Sequence, residues 1–419
     1  MRLRFATKGT IAPSGLFPNQ TITLQGMRLI SLPNKKYVVA RAVSTGMALA
    51  LALIYSKALG LNNRSLIAFV MTVNSLIWIL VTSGTTLTFR KNDPKMSDKR
   101  TRESFYSLIF LESILSITLL IITLQIYSIE KNYLTINFIA IAVLYSATSG
   151  IALITSEIAL AYKHFNFIGY LDAISIFLQF LFFGILYLLG IFSISVSLLL
   201  AFSTSYLVYA FLVLRHIFKG SRIELSTTSP LTYLKSTRGN HSLGFSLGVM
   251  DRMDRFLISV LFPTILLGKY AVMSSTISVF RFLPDAVSKI IVSRKTDNVK
   301  LGFRSFVVIF IVSSIAGGFL VFCSQIFIRQ ALGTEWLLPI VTTIGFAIME
   351  LLRGLYQISA NRQVSLGYSS YVHKQSVRLP FIALFLATLF SYFFGLNGLI
   401  FGFLLAYLIP VLVFRNRDH

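Results

Sequence analysis

The chain is nearly devoid of cysteine: Cys323, inside an apolar segment, is the one thiol in 419 residues. It excludes an intramolecular disulfide and any cysteine-based metal site. Histidine is also sparse, and His164, His216, His241, His373 and His419 are scattered with no ligand spacing of the HExxH kind. Charged residues make up only 13% of the sequence, too few for the surface of a soluble globular protein. The short alternating strands of an outer-membrane barrel are missing too. No metal or organic cofactor is expected, and no catalytic site, so the chain reads as a non-enzyme.

What the sequence has in abundance is apolar residues, 55% of the total, with a mean hydropathy of +0.76. Runs long enough to cross about 30 Å of hydrocarbon as helices recur throughout. They predict twelve spans, at about residues 38–59, 65–88, 105–128, 133–156, 167–190, 192–214, 242–262, 268–292, 305–328, 336–359, 377–394 and 397–414. The expected fold is all-α and integral to the membrane.

The formal charge of +23 would suggest nucleic acid in a soluble protein. Here the basic residues sit in short links between apolar runs, so they read as topology signals and no nucleic-acid partner is expected. Links after even-numbered spans are the basic ones, among them Arg90, Lys91, Lys95, Lys99, Arg100 and Arg102, then Arg215, Lys219, Arg222, Lys235 and Arg238. Links after odd-numbered spans hold little, for instance Lys57 with Arg64 after the first. Because lysine and arginine bias loops to the cytoplasm, both termini are expected inside. Residues 1–36 are polar, basic and lack the apolar core of a signal peptide, and are expected to form a cytoplasmic tail, with Met27 a second candidate start. The polar stretch 216–241 divides the rest into six spans and six, residues 37–215 and 242–419.

Ionised residues interrupt these spans at depths where a charge is costly and usually marks a solute pathway. The main group is Asp251, Arg252, Asp254 and Arg255, with Arg281 and Asp285 in the next span and Glu350 and Arg353 in the tenth. Arg41 lies near the inner end of the first. On helices Asp251 would reach Arg255, Arg281 would reach Asp285, and Glu350 would reach Arg353. Arginine stays protonated at low dielectric and offers a planar fork to phosphate oxygens. The structural alternative is that these are neutralised pairs that hold helices together. Glu112, Glu157 and Asp172 read as isolated acids of the first half, for which packing against a polar partner is the alternative to an ion role. Gly244 with Gly248, and Gly398 with Gly402, have the spacing of close helix approach.

Several short segments then carry a resemblance. Ser56-Lys57-Ala58-Leu59-Gly60-Leu61 closes the first span, Asp254-Arg255-Phe256-Leu257-Ile258 lies in the seventh, and Leu267-Gly268-Lys269-Tyr270-Ala271-Val272 opens the eighth. In this order and frame the chain resembles the Wzx-type polysaccharide flippases of the multidrug/oligosaccharidyl-lipid/polysaccharide (MOP) transporter superfamily. The resemblance implies a MATE-like arrangement: two six-helix lobes around a central cavity, alternately open to either side. It implies an undecaprenyl-pyrophosphate-linked oligosaccharide as cargo, carried outward across the bacterial inner membrane for surface polysaccharide such as O-antigen. Arg41, Asp251, Arg252, Asp254, Arg255, Arg281, Asp285, Glu350 and Arg353 would line the cavity. Besides cargo and bilayer, other polysaccharide-assembly proteins are candidate partners, and proton or sodium coupling is left open. Two alternatives compete. A cation-coupled multidrug exporter of the same superfamily would use a lone membrane carboxylate, and a membrane glycan polymerase or ligase would place a large loop outside, where no link exceeds a handful of residues.

Overall fold

The computed structural model describes residues 35–91, 99–131, 135–217, 230–277, 303–365 and 369–415. The first helix, α1 (Lys35–Lys91), is 57 residues long and would run about 85 Å if straight, almost three times the hydrocarbon thickness. It breaks at Gly60, where φ is 68° and ψ 172°, a backbone state reserved for glycine. The two arms are the first two expected spans. α10 (Ser369–Arg415) repeats the device at Gly395 (φ 58°, ψ −140°), and its arms are the last two spans. Those arms lie close together: a Cβ on Gly398 would fall on the main chain of Phe390, and one on Gly402 on that of Ala387.

Between them run α2 (Lys99–Lys131), α3 (Ile136–Ala161), α4 (Phe165–Leu189), α5 (Ile194–Ile217), α6 (Pro230–Leu261), α7 (Thr264–Ile277), α8 (Phe303–Leu332) and α9 (Ile340–Ser365). Local chemistry sets several of their ends. The Thr135 hydroxyl accepts from the Phe138 N–H to cap α3. The α3–α4 turn takes its two last carbonyl bonds, Lys163 N–H to Leu160 O and His164 N–H to Ala159 O, around Lys163 in the left-handed region (φ 65°). α4 ends on left-handed Gly190. A 3₁₀ turn, Thr334–Trp336, joins α8 to α9. The eighth expected span is described only as far as Ile277.

No strand occurs among the described residues. Among the described residues six stretches, two of which cross a glycine break, are long and apolar enough to span a membrane. Large apolar side chains such as Leu188, Phe180, Tyr392 and Phe393 stand exposed, an arrangement suited to lipid and not to water. The molecule is a multi-pass, all-helical membrane protein.

Save for Lys35, the described residues belong to one compact unit, Lys36–His419. Within it α5 packs on α3 and α4, α3 on α2, α10 on α6 and α9, and α8 on α7 and α9. The first group meets the second along α1, α2, α6 and α7. α2 packs on α6, a Cβ on Gly248 of α6 would meet the Ile79 side chain of α1, and Gly268 of α7 lies against Leu61 and Ser65, just past the α1 break. Gly248 and the Gly398–Gly402 pair are thus at close helix contacts. The largest apolar cluster crosses this seam, with Leu51 and Ile67 of α1, Leu198 of α5, Met250 and Ile258 of α6, Phe346 of α9 and Phe403 of α10.

Candidate substrate site

Helix geometry sorts the four charges of α6 before any neighbour is considered. At about 100° per residue they occupy one arc in the order Asp254, Asp251, Arg255, Arg252. The acids lie on one side of the arc and the arginines on the other. The two sides meet different parts of the bundle.

The acid side faces α7, α9 and α10. Asp254 is fully buried and accepts from the Tyr270 hydroxyl at 2.6 Å. Arg353, 2% exposed, donates Nη1 to Glu350 Oε1 at 2.5 Å and Nε to the Tyr407 hydroxyl at 2.8 Å, with its Cζ 5.5 Å from the Tyr407 ring centre. Tyr407 in turn donates to the Met250 carbonyl at 2.8 Å. The Arg353 guanidinium also lies 3.6 Å from Asp254 and 3.8 Å from Asp251. One buried cation therefore gathers three carboxylates and a phenol and ties α6 to α9 and α10. Three carboxylates share this one cation, so removal of Arg353 leaves all of them without it.

The Glu350–Arg353 pair forms at its expected i,i+3 spacing. The Asp251–Arg255 pair is a correction: Asp251 is within ion-pair distance of Arg353 and, at 3.6 Å, of Arg252 Nε, and acts on Arg255 only from longer range. Arg252 and Arg353 both compete with Arg255 for the Asp251 carboxylate.

The arginine side faces the first helix group. The Arg252 charge reaches the phenols of Tyr145 on α3 and Tyr206 on α5. The charge of Arg255 acts on Arg64 of α1. Arg64 is a second correction: read from sequence as a link residue, it is 7% exposed.

Arg41 takes a separate partner. Its Nη1 lies 2.6 Å from Asp172 Oδ2 on α4, and Tyr209 donates to the other oxygen at 3.2 Å. Asp172 is thus not an isolated acid. Tyr206 connects the two regions electrostatically, because both Asp172 and Arg252 act on it. Arg281 and Asp285 lie outside the described residues. Of the other two isolated acids, Glu157 has a partner. Glu112, 7% exposed on α2, accepts at 2.5 Å from the Thr85 hydroxyl through Oε1, while its buried Oε2 has no hydrogen-bond partner.

Sequence reasoning missed Arg64 and the tyrosines 145, 206, 270 and 407. Arg64 carried one signal: it follows Gly60 by four residues, within the first turns of a span. Tyr270 stood in the segment that opens the eighth span but was given no role there, and the other three carried no signal, since 18 tyrosines are spread along the chain. Among the described residues no group of side chains gathers that could hold a metal ion.

A charged, largely buried core at the seam of two helix groups is the arrangement seen here, and its backbone has solved counterparts. The chain superposes on the MATE multidrug transporter DinF-BH, solved as a complex, with a TM-score of 0.66 and 14% identity over 92% of this chain and 95% of that one. The eukaryotic MATE transporter AtDTX14 gives 0.65 and 14%, covering 91% and 94%. The Vibrio cholerae MATE transporter VcmN, as a point mutant, gives 0.64 and 12%, covering 92% and 94%. The fold is that of the MATE transporters. No family model matches the chain, and no curated protein does.

Proposed function

We propose that the chain is an alternating-access transporter in which the helix groups of residues 37–215 and 242–419, joined by the 216–241 link, rock about the seam. Its cargo in this reading is an anionic amphiphile, the lipid-linked pyrophosphate oligosaccharide of a flippase. The observation that carries it is the arginine side of α6. The charges of Arg252 and Arg255 act across the seam on Tyr145, Tyr206 and Arg64, while Asp254 is held by Tyr270 and Arg353 and Asp251 is shared between Arg252 and Arg353. A pyrophosphate crossing hydrocarbon must exchange its hydration shell for fixed cations, and charge-assisted bonds from arginine are the strongest available. With the basic links inside, cargo would move outward across the bacterial inner membrane.

A second reading has its own support. The named structural neighbours are MATE transporters, DinF-BH a multidrug one, which favours the cation-coupled exporter over the flippase. Glu112 is the buried carboxyl with one hydrogen bond that such coupling would use. Reconstituted vesicles decide between the two. Outward movement of a fluorescent polyprenyl-pyrophosphate sugar is expected, lost in Arg255→Gln and retained in Glu112→Gln. Pumping of the cationic dye ethidium, lost in Glu112→Gln, with no movement of the pyrophosphate lipid would overturn the flippase in favour of the exporter.

A further inference from the structure

Side-chain bonds between helices tie each helix group to itself. In the first group Asn74 donates to Ser149 at 2.9 Å and Trp78 to Ser146 at 3.1 Å, which holds α1 to α3. In the second Tyr270 donates to Asp254 at 2.6 Å, holding α7 to α6, and Gln325 to Thr343 at 2.7 Å, holding α8 to α9. Ring contacts follow the same division, with Tyr55 of α1 edge-on to Phe183 of α4 and Tyr270 edge-on to Phe346 of α9. Beside the Gly60 break, by contrast, the groups meet through apolar surface. Val272 of α7, Ile328 of α8 and Trp336 of the 3₁₀ turn are buried together, and Leu53 and Leu61 of α1 pack against them. Hydroxyls of these segments bond within their own helices: Ser65 to Leu61 O at 2.8 Å, Ser274 to Ala271 O at 3.0 Å and Thr276 to Met273 O at 2.7 Å. One approach is closer than a side chain permits. A Cβ on the buried Gly268 would strike the Ser65 hydroxyl and lie 3.0 Å from Leu61 O and 3.4 Å from Ser65 N, so α7 seats here only without one.

We infer that this joint is an outer gate, closed in the state described: an apolar seal keyed by Gly268 against the Leu61–Ser65 turn. Its role rests on the transport reading and on the basic links facing the cytoplasm, which puts the end of the first span, and with it Gly60, on the outer side. Two properties suit the joint to repeated opening. Parting it leaves the bonds named above intact and orphans none of these hydroxyls, so what opening costs is the apolar surface exposed to water. Each face is also anchored to its own group next to the joint, by Tyr270 two residues after Gly268 and by Tyr55 five before Gly60, so movement of a whole group carries its face along. Gly268 is a positioning residue in this account, setting how tightly an apolar constriction shuts out water.

The test places one thiol at the seal. The full-length chain carrying Cys323→Ser and Val272→Cys is expressed in bacterial cells and exposed to a membrane-impermeant maleimide from outside. Val272 is 0% exposed, so slow labelling is expected. Gly268→Val is expected to wedge the joint and raise the rate about tenfold or more. Gly268→Ala is expected to give a smaller rise, reversed by adding Ser65→Ala, which removes the hydroxyl that a Cβ would strike. An Ala406→Cys probe in place of Val272→Cys, equally buried on α10, reports loss of fold and is expected to stay protected in the same variants. An unchanged rate at Val272→Cys in Gly268→Val, an equal rise at Ala406→Cys, or labelling of Val272→Cys only in inside-out vesicles would each overturn the gate. Failure of the transport reading has a different signature, in which the gate probe responds as expected while the reconstituted parent chain does not move the fluorescent pyrophosphate lipid.

Discussion

Replacing Arg353 by methionine, a side chain of similar reach and no charge, is the most informative perturbation of the buried cluster. The guanidinium is 2% exposed and lies 2.5 Å from Glu350, 2.8 Å from the Tyr407 hydroxyl, 3.6 Å from Asp254 and 3.8 Å from Asp251. Its removal takes from Glu350, Asp254 and Asp251 the cation they share and strips the acceptor Tyr407 of its donor. Loss of one partner from a buried pair costs about 3–5 kcal/mol. For a chain of this length 1 kcal/mol corresponds to about 2 °C in Tm, so a fall of about 6–10 °C is expected. Heating at a fixed ramp followed by size-exclusion of the detergent-solubilised protein reads it, since irreversible unfolding makes the ramp part of the measurement. Glu350→Gln removes one stranded carboxylate, and coupling between contacting residues of about 1–3 kcal/mol predicts that Arg353→Met/Glu350→Gln regains about 2–6 °C over Arg353→Met. Wild-type stability in the single variant, or a double variant no better than the single, would refute the account of Arg353 as the cation that three carboxylates share.

Two further expectations concern the backbone. Gly60→Ala should lower stability by about 1–3 kcal/mol through backbone strain, because its φ/ψ is closed to other residues; a Cβ there meets nothing within 4 Å, so larger side chains should cost the same, and a Tm that falls with side-chain size would contradict this. Gly248→Val overfills the contact with Ile79 and should cost about 1–3 kcal/mol, partly restored by Ile79→Ala, as read by the same heating assay.

The transmembrane frame was legible because hydropathy is a property of single segments. Both arms of α1 and of α10 were anticipated as separate spans, and Gly60 and Gly395 fall in the links between them. The Glu350–Arg353 pair was legible for a similar reason, as its spacing is that of one helical turn. What could not be read was long-range pairing. Tyr407 meets Arg353 from 54 positions away and Arg41 meets Asp172 from 131, and nothing in either segment's periodicity announces the partner. Asp251–Arg255 shows the limit of local spacing. The i,i+4 geometry permits the pair, but Arg252 beside it and Arg353 from another helix take the carboxylate instead. Arg64 was misjudged because a basic residue near a span boundary ordinarily reaches for the interface, whereas the break at Gly60 and the seat of Gly268 enclose it.

The division of the α6 arc has a consequence for how damage should distribute. Asp254 and Asp251 hold the helix to Tyr270 and Arg353, so the acid side fixes the rotation of α6 about its own axis. From that rotation the charges of Arg252 and Arg255 act across the seam on Arg64, Tyr145 and Tyr206. Asp251 and Asp254 are thus positioning residues for the two arginines that, in the proposed transport cycle, meet the cargo. On the acid side, loss of Arg353 takes away the cation that three carboxylates share. On the arginine side, Arg252 keeps a distance of 3.6 Å to Asp251, and Arg255 makes no ion pair with a described residue. Acid-side substitutions therefore belong with loss of folded protein, and arginine-side substitutions with loss of cargo in a protein that is still folded. Both effects originate within five consecutive residues of a single helix.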